Sequence, residues 1–462
     1  MVTDVLTSQP TPAPKSIPFI KSAPLVGNWL EHDRDRLSFY LRLYRECGDV
    51  AGMHFGPFRA IMFSTSEYVH SILVEHADDF DKGEVLHQAF RPVIGNGLFV
   101  SEGEFHRRQR RLMAPAFQPR QIMSYADTMV AYSELMARQW SEGDELDIER
   151  AMTAVTMSIV GKVLFDADVF TEADEIGSAI ATVLERITRR ISSLISPPYS
   201  WPTPGNLRAK RAAAVLRERI QKMIDERRTS GRERNDFLSL LLNARDEDGN
   251  AMSDEQVMDE AVTLFGAGHE TTATALTWTW YLLMQHPDIY AKVQQEVDCV
   301  LQGRAPTYTD LPRLPYCLHV LKEVMRLYPP AYAFTRVALH DMRIGDYQLQ
   351  KMDTVFISPY VLHRRPDYFP EPEHFDPDRF IPENEKKLPR YAYLPFGAGP
   401  RICIGNHFAL MEGHLLLATL AQRATFELLP QPEIVPDPAH HLTIRPRTGV
   451  KVKVHLRKIH AN

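Results

Sequence analysis

The feature that most constrains this chain is one long helical segment that begins at Ser253. Ser253 and Gln256 have the S-x-x-Q spacing of a capping box, in which each side chain satisfies a free backbone N–H of the other residue. The helical pattern continues to about Gln285 and stops before His286-Pro287, because proline does not extend a helix. A helix of about 33 residues is ~50 Å long. It is long enough to run through the middle of a domain, with the other elements packed around it.

The rest of the sequence predicts a large helical part and a small β part. From about residue 66 to 330 the pattern is mostly helical, and its clearest break is PPYSWPTPGN (197–206), whose prolines forbid a continuous helix. DVAGMHFG and RAIMFS flank Gly56-Pro57 and predict a hairpin. Short strands follow residue 330 (TRVAL, MRIGDYQL, DTVFIS), and GVKVKVHL predicts a last strand.

No linker divides the chain. Residues 1–24 are rich in proline and predict an extended arm, and residues 25–462 show no further composition break. We therefore expect one domain of the mainly α class with a small β part, preceded by this arm.

Composition and charge exclude several classes of protein. Of the 462 residues 44% are hydrophobic and 24% charged, which is ordinary for a globular chain. A net charge of −6 disfavours a broad nucleic-acid footprint. Four cysteines without a CxxC pair exclude a disulfide scaffold, a zinc ribbon and an iron–sulfur cluster. Without a signal-peptide core or an apolar run of about 18 residues, we expect a soluble cytoplasmic protein with no transmembrane anchor.

The segment FGAGPRICIG, Phe396 to Gly405, is the first candidate for chemistry. Its glycines and proline predict a tight, open loop around Cys403, where backbone N–H groups can approach the sulfur. The sequence after Gly405 is helical in pattern, which places Cys403 at a helix N-terminus, where the thiolate is favoured. A metal-bound thiolate needs such surroundings; the alternative interpretation is a buried structural cysteine.

A second candidate is the pair Glu323 and Arg326 in LHVLKEVMRLYPP. The i, i+3 spacing puts both charges on one helix face. Such a pair usually lies on the surface, but the flanking residues are apolar and favour burial. A buried pair needs a further partner, for which Arg379 is a candidate.

The third candidate is AGHETT, residues 267–272, in the middle of the long helix. Gly266 and Gly268 each weaken the helix by ~1 kcal/mol relative to alanine. His269 and Glu270 are out of place between the apolar stretches AVTLFGAG and ATALTWTW. The segment predicts either a local opening that receives a ligand and relays protons, or a close helix contact made possible by glycine.

The fourth candidate is HRRQRR, residues 106–111. Such a run is usually a solvated face. His106 and Arg110 are four apart and can point at one anion, and the sequence predicts that Arg107, Arg108 and Arg111 meet an acidic partner.

Together these segments resemble the cytochrome P-450 family of haem-thiolate monooxygenases, soluble bacterial type. The Cys403 segment matches the family's F-x-x-G-x-R-x-C-x-G signature, Glu323 and Arg326 match its E-x-x-R helix, and residues 267–272 match [AG]-G-x-[DE]-T-[TS]. The resemblance covers nearly the whole chain. It implies a triangular, mostly α prism that holds the haem between the long helix and the cysteine loop.

The resemblance implies a role for each matched residue. Cys403 is implied as the axial ligand of the haem iron, Thr271 as the hydroxyl that hydrogen-bonds dioxygen, and Glu270 as the source of its protons. The implied partners of the haem propionates are His106, Arg110, Arg336 and Arg401. His106 stands where many members carry tryptophan. Further implied haem contacts are Phe396, Gly268, Ala267 and Gly405, and Glu323, Arg326 and Arg379 are implied as a structural triad.

The resemblance also implies the reaction, RH + O2 + 2e⁻ + 2H⁺ giving ROH and water, on haem b. It implies electrons from NAD(P)H that arrive through a separate ferredoxin or flavodoxin with its reductase, and a monomeric enzyme.

The substrate is expected to be apolar. RLYPPAYAFTRVA resembles the equivalent segment of fatty-acid-hydroxylating members, so we expect a fatty acid, with terpenoids and steroids as alternatives. The expected lining is apolar or aromatic, as a lipid site requires: Leu86, Phe90, Phe99, Ala267, Ala331, Tyr332, Ala333 and Phe334. The 197–206 tract is interpreted either as a lid over the entrance or as an ordinary surface loop.

Two other functions fit the same family. A peroxide-driven peroxygenase or an isomerase takes no external electrons, and a haem-based carrier or sensor never turns over. Members of the first kind commonly alter the acid–alcohol pair, and a carrier needs none. The intact Glu270-Thr271 pair therefore favours the partner-dependent monooxygenase.

Overall fold

The structure, a computed structural model, describes residues 13–166, 173–193, 196–230, 236–438 and 441–458. It is 56% helical. In the described residues the α-helices are, in chain order, α1 (Trp29–Arg34), α2 (Arg36–Cys47), α3 (Ser66–His70), α4 (Glu84–Ile94), α5 (Gly103–Met113), α6 (Pro119–Met123), α7 (Ala126–Ala137), α8 (Ile148–Phe165), α9 (Ala173–Ser192), α10 (Pro204–Ser230), α11 (Phe237–Asn243), α12 (Asp254–Gln285), α13 (Pro287–Leu301), α14 (Pro315–Leu327), α15 (Pro359–Leu362), α16 (Pro382–Glu385) and α17 (Asn406–Arg423).

The strands are short and form small sheets. Over the same ranges they are β1 (Val50–Phe55), β2 (Phe58–Phe63), β3 (Phe80–Asp81), β4 (Glu145–Asp147), β5 (Phe334–Ala338), β6 (Met342–Ile344), β7 (Tyr347–Leu349), β8 (Thr354–Ile357), β9 (Ala424–Leu428), β10 (Pro436–Asp437), β11 (Arg445–Pro446) and β12 (Lys451–Leu456). The largest sheet has the order β1-β2-β8-β5-β3, and β12 lies between β4 and β9. Both sheets pair strands from the two halves of the chain. The mainly α class with a small β part is confirmed.

The long helix is confirmed at both ends. α12 begins after Ser253, which forms the predicted capping box with Gln256, and it ends before His286. Pro287 then opens α13. The predicted hairpin is also present, as β1 and β2 pair antiparallel on either side of residues 56 and 57.

The prediction of a local opening in α12 is wrong, because the helix continues unbroken through residues 266–272. Glycine serves helix packing instead. A Cβ on Gly268 would lie 3.1 Å from Cγ2 of Val160 on α8. The hydroxyl of Thr156, also on α8, donates to the carbonyl of His269 at 3.1 Å. α8 thus approaches α12 closely where the sequence is richest in glycine.

The non-helical interruption at the proline tract 197–206 is shorter than predicted. α10 already begins at Pro204, since proline is tolerated in the first turn of a helix. Asn206 donates to the carbonyls of Pro198 and Trp201, both at 2.9 Å, and holds the turn against the helix. Trp201 is 59% exposed. These contacts favour the surface-loop interpretation.

The core surrounds α12. Its largest cluster joins α7, α8, α13, α14 and α17 with β9 and β12. Trp278 of α12 stacks on Tyr328 with ring centroids 3.9 Å apart, and its Nε1–H donates to the carbonyl of Ile444 at 2.5 Å. Within the described ranges, the helices are too short or too polar to cross a bilayer.

The carboxyl group of Glu412 is buried in this core and has no charged partner among the residues that the structure describes. Glu412 of α17 is fully buried and lies beside the hydroxyl of Thr272 on α12. Burial raises the pKa of Glu412 to about 8, and the hydroxyl of Thr272 lowers it by less. The folded protein therefore binds a proton at neutral pH that the unfolded chain releases.

We predict that Glu412→Gln changes how stability depends on pH. From about pH 4.5 to 8 the unfolding free energy of the parent protein falls, because folding requires protonation of Glu412. Glutamine removes this dependence, so the variant gains on the parent as pH rises, by on the order of a few kcal/mol. Thermal midpoints across this pH range measure the gain. The exposed Glu226→Gln is the control, and parallel curves for Glu412→Gln and the parent would contradict the prediction.

Candidate active site

One face of α12 is accessible although the helix runs through the core. Ala267 is exposed and Leu264 and Thr271 are half-buried, whereas the intervening residues 265, 269 and 270 are buried. Their spacing puts the accessible residues on one side of the helix. The hydroxyl of Thr271 donates to the carbonyl of Ala267, one turn earlier, at 3.1 Å. Because the helix runs through the core, this accessible stripe lines an internal cavity.

The cysteine loop, residues 394–405, lies beside the same cavity. The side chain of Phe396 packs on a cluster that includes Ala275 of α12, one turn beyond Thr271. Cys403 is exposed, and its N–H donates to the carbonyl of Phe396 at 2.9 Å. The loop therefore closes on itself and leaves the sulfur accessible.

Gly399 fits this loop against the rest of the molecule. Its φ is +68°, which favours glycine, and a Cβ there would lie 1.8 Å from the carbonyl oxygen of Leu73. No other residue fits at this position without displacing the backbone.

The thiol of Cys403 is less acidic than the sequence predicts. Although the cavity leaves the residue accessible, the sulfur lies deep in the protein, and desolvation there raises its pKa. The N–H of Gly405 and the guanidinium of Arg110 lower the pKa by less. α17 begins only at Asn406, so the helix terminus does not outweigh burial. The N–H of Gly405, just before α17, lowers the pKa in the predicted direction, but desolvation has the larger effect. A metal ion at the sulfur deprotonates such a thiol outright.

A group of basic side chains, called the cationic group below although its histidine is neutral at pH 7, lies at the cavity: Lys82, His106, Arg110, Arg336 and Arg401. Burial lowers the pKa of Arg336 and of Arg401 to about 10. Burial, and then Arg336 and Arg401, lower the pKa of Lys82 well below its usual value. Burial, and then Lys82 and Arg110, lower the pKa of His106 to about 4. Glu102 pairs with Arg401, which leaves the group with excess positive charge.

The sequence located four of these five groups and missed Lys82. Lys82 follows β3, and no spacing or motif relates it to the distant Arg336. Its ammonium donates to the carbonyl of Phe99 and lies 4.2 Å from the centre of the Phe99 ring. Only the folded chain shows that it joins the cationic group.

The acid and the alcohol on α12 point to different surroundings. The carboxylate of Glu270 accepts from the hydroxyl of Thr443 at 2.9 Å and pairs with Arg445 at 3.2 Å. Arg445 also faces Glu149 at 3.6 Å. The structure thus separates Glu270 from Thr271, although the two are adjacent in sequence, because successive residues of a helix point about 100° apart.

The buried pair predicted from spacing is present. Arg326 donates to both oxygens of Glu323, at 2.6 and 2.8 Å, and both residues are fully buried. Arg379 approaches the same carboxylate at 3.5 Å, and the N–H of Asp376 donates to it at 2.9 Å. Burial raises the pKa of Glu323, while Arg326 lowers it. Removing one partner of such a pair costs about 3–5 kcal/mol.

The predicted apolar lining falls into two groups. Leu86 and Phe90 share one face of α4, and the Phe90 ring lies 4.9 Å from that of Phe99. The second group surrounds the start of β5, where Ala331 is exposed and Ala333 and Phe334 are half-buried.

Tyr332 belongs to a different environment from the other predicted lining residues. It is 8% exposed, and its hydroxyl accepts from Arg36 at 3.2 Å and donates to the carbonyl of Pro438 at 3.4 Å. It packs in the core between α2 and the β part. We therefore leave it out of the candidate lining.

The remaining arginines of HRRQRR already have acidic partners within the chain. Arg107 pairs with Asp78 at 2.9 Å, Arg108 with Asp246 at 2.7 Å and Arg111 with Glu247 at 3.3 Å. A docking protein would have to displace these carboxylates, which weakens the prediction that the three arginines meet an acidic partner.

Two adjacent carboxylates of α12 bind the 95–98 turn, and neither is among the residues predicted from the sequence. Asp259 accepts from the N–H of Asn96 at 2.7 Å and from Arg217 of α10 at 2.6 Å. Glu260 accepts from the N–H of Leu98 at 2.8 Å. Asp259 therefore ties α10 and the turn after α4 to α12. The two acidic residues inside the otherwise apolar run VMDEAVTLF were the sequence signal that could have indicated a buried polar contact here.

Comparison with known proteins agrees with the resemblance. Residues 17–454 match the family model described as Cytochrome P450. Cyclooctatin synthase of Streptomyces melanosporofaciens is 39% identical over 426 residues, which are 92% of each chain. Cyclooctat-9-en-7-ol 5-monooxygenase of the same organism is 38% identical over 404 residues, 87% of each chain. Pentalenene oxygenase of Streptomyces avermitilis is 34% identical over 419 residues, 90% of this chain and 92% of the relative.

We predict that Asp259→Asn loosens the 95–98 turn. The variant loses charge-assisted bonds to Asn96 and Arg217, so the amides of the turn should exchange with solvent on the order of tenfold faster. Hydrogen exchange read by mass spectrometry measures this. The control is Asp254→Asn, which removes the partner of Arg228 in another pair between α10 and α12. Equal exchange in the two variants would show that Asp259 does not hold the turn.

Proposed function

The chain belongs to the cytochrome P450 family and is a haem-dependent monooxygenase, and from this premise we propose that it hydroxylates a neutral cyclic terpenoid. The observation that carries the proposal is the similarity, along about nine tenths of both chains, to enzymes named for pentalenene and for cyclooctat-9-en-7-ol. The expectation of a fatty acid finds no support in these relatives.

The residues at the cavity fit a haem. Its two propionates are anions, and the cationic group has the buried excess of positive charge that such a ligand would neutralise. A Cβ built on Gly397, in the cysteine loop, meets no atom within 4 Å, so there is space beside the loop. We assign Cys403 as the iron ligand, and Arg110, Arg336, Arg401 and Lys82, with His106, as the propionate side. Gly268, Ala267, Phe396 and Gly405 complete the proposed haem contacts.

When bound, the haem supplies activation of dioxygen and insertion of one oxygen atom into a C–H bond. Thr271 presents its hydroxyl on the cavity face, and rotation away from the carbonyl of Ala267 frees its proton for a ligand in the cavity. Its Oγ1 then needs a new proton, which we assign to Glu270. The carboxyl group of Glu270 must first leave Thr443 and Arg445 by rotation of its side chain.

Glu149 offers a route for that proton from outside. It is partly exposed and faces Arg445, and burial raises its pKa, so it carries a proton more readily at neutral pH than an ordinary glutamate. The pathway from Glu149 past Arg445 to Glu270 joins the surface to the core of α12.

The proposed lining suits a substrate without charge. The lining side chains themselves are hydrocarbon or aromatic: Leu86, Phe90 and Phe99 on one side and Ala331, Ala333 and Phe334 on the other. The cations against them, Lys82 at Phe99 and Arg336 at Phe334, are assigned to the haem propionates. Transfer of a carboxylate into such surroundings is costly unless a cation pairs with it. A rigid cyclic terpenoid has no such requirement and loses little conformational entropy on binding.

The electrons are proposed to come from NAD(P)H through a separate ferredoxin or flavodoxin and its reductase. Support for this step is the family membership and the intact Glu270-Thr271 pair, which a turnover fed by protons and electrons requires.

We predict that the ferric protein distinguishes substrate classes. Titration with pentalenene and cyclooctat-9-en-7-ol should convert the haem from low to high spin at concentrations about tenfold below those at which hexadecanoic acid acts. Phe90→Ala should weaken terpenoid binding about tenfold, whereas Phe58→Ala, on the exposed end of β2, should not. A spin change with hexadecanoic acid alone would overturn the terpenoid assignment.

We predict that Thr271→Ala uncouples electron use from product. NADPH consumption should continue, while hydroxylated product per NADPH falls on the order of tenfold or more, because the proton donor is lost. Thr277→Ala is the matched control, since the buried Thr277 hydroxyl makes the same bond to the carbonyl four residues earlier, at 2.8 Å. Full coupling in Thr271→Ala would show that the assigned proton relay is wrong.

A further inference from the structure

His363, in the turn after α15, is a fully buried histidine with two defined hydrogen bonds. Its Nε2 accepts from the N–H of Leu394 at 2.8 Å, so Nδ1 carries the proton and donates to the carbonyl of Arg326 at 3.3 Å. Burial, and then Arg326, lower the pKa of the imidazole to about 3. The neutral ring is therefore a fixed bridge between the end of α14 and Leu394.

Leu394 is the first residue of the cysteine loop. The N–H of Gly397 donates back to the carbonyl of Leu394 at 3.4 Å, and the N–H of Cys403 donates to the carbonyl of Phe396 at 2.9 Å. These bonds join the start of the loop to the residue that carries the sulfur. A displacement of Leu394 is thus transmitted to Cys403.

The imidazole also connects the buried Glu323–Arg326 pair to this loop. The guanidinium of Arg326 donates to the carbonyl of His363 at 3.0 Å, while the imidazole donates to the carbonyl of Arg326. The other backbone partners of this guanidinium, in the described part of the chain, are residues 372 and 374, which precede the loop. The direct bond from this region to the N–H of Leu394 comes from His363.

We propose that His363 is a positioning residue that fixes the start of the cysteine loop and thereby the place of the Cys403 sulfur. The inference rests on the proposed role of Cys403 as iron ligand. It assigns the imidazole a function that an apolar ring of similar size cannot supply, because only an acceptor at Nε2 satisfies the buried N–H of Leu394.

The test compares His363→Phe, which keeps a ring and removes both bonds, with His363→Gln, which keeps an acceptor and a donor. The readout is the Soret band of the reduced carbon-monoxide complex during incubation at constant warm temperature. In His363→Phe the strongly red-shifted thiolate band should convert to the unshifted form about tenfold faster than in the parent. His363→Gln should restore part of the parent lifetime.

The matched control is His414→Phe. His414 is also buried, and its Nε2 donates to the carbonyl of Leu314 at 2.8 Å, away from the cysteine loop. A general loss of stability would shorten the lifetime of the red-shifted band equally in both phenylalanine variants. Equal lifetimes in the two variants, or a parent-like lifetime in His363→Phe, would overturn the proposal.

Hydrogen exchange on the parent protein gives a second test that needs no variant. The amide of Leu394 should exchange as slowly as the amides inside α14, and fast exchange would contradict the proposed anchor. A parent protein without any red-shifted band would instead refute Cys403 as the ligand. The exchange measurement keeps these two failures distinguishable.

Discussion

The arrangement of the cysteine loop depends on one buried ion pair. Glu323 and Arg326 lie without solvent exposure at the end of α14, where each charge needs the other and several backbone partners. Arg326 donates to the carbonyls at both ends of the 363–374 segment, and Glu323 accepts from the N–H of Asp376. A long stretch of irregular chain is thereby fixed to one helix. His363 extends this fixation to Leu394 and to the residues that carry Cys403.

The opposite side of the cavity is organised by charges on α12. Near its N-terminal end Asp259 and Glu260 bind the 95–98 turn, and near its middle Glu270 binds Thr443 and Arg445. The accessible stripe on the cavity side of the helix contains Leu264, Ala267 and Thr271. α12 therefore separates its functions by face: buried polar side chains hold neighbouring segments, and the accessible stripe stays open to the cavity.

Local patterns predicted much of this structure from the sequence. The capping box at Ser253, the hairpin around residues 56 and 57, and the contact of Glu323 with Arg326 follow from neighbours in the chain. What the sequence did not reveal depends on tertiary packing. Lys82 acts beside Arg336 and Arg401, hundreds of positions away, and His363 acts beside Arg326 and Leu394, more than thirty positions away. Burial, not helix position, dominates the acidity of Cys403. Gly268 was ambiguous for the same reason, because its partner Val160 lies on another helix.

The central claim is that Cys403 binds the iron of a haem. The most direct test is the absorption spectrum of the purified protein, reduced and saturated with carbon monoxide, beside that of Cys403→Ala. The structure predicts a strongly red-shifted Soret band in the parent protein and its loss in the variant. An unshifted band in the parent, or a red-shifted band that survives in Cys403→Ala, would contradict the assignment.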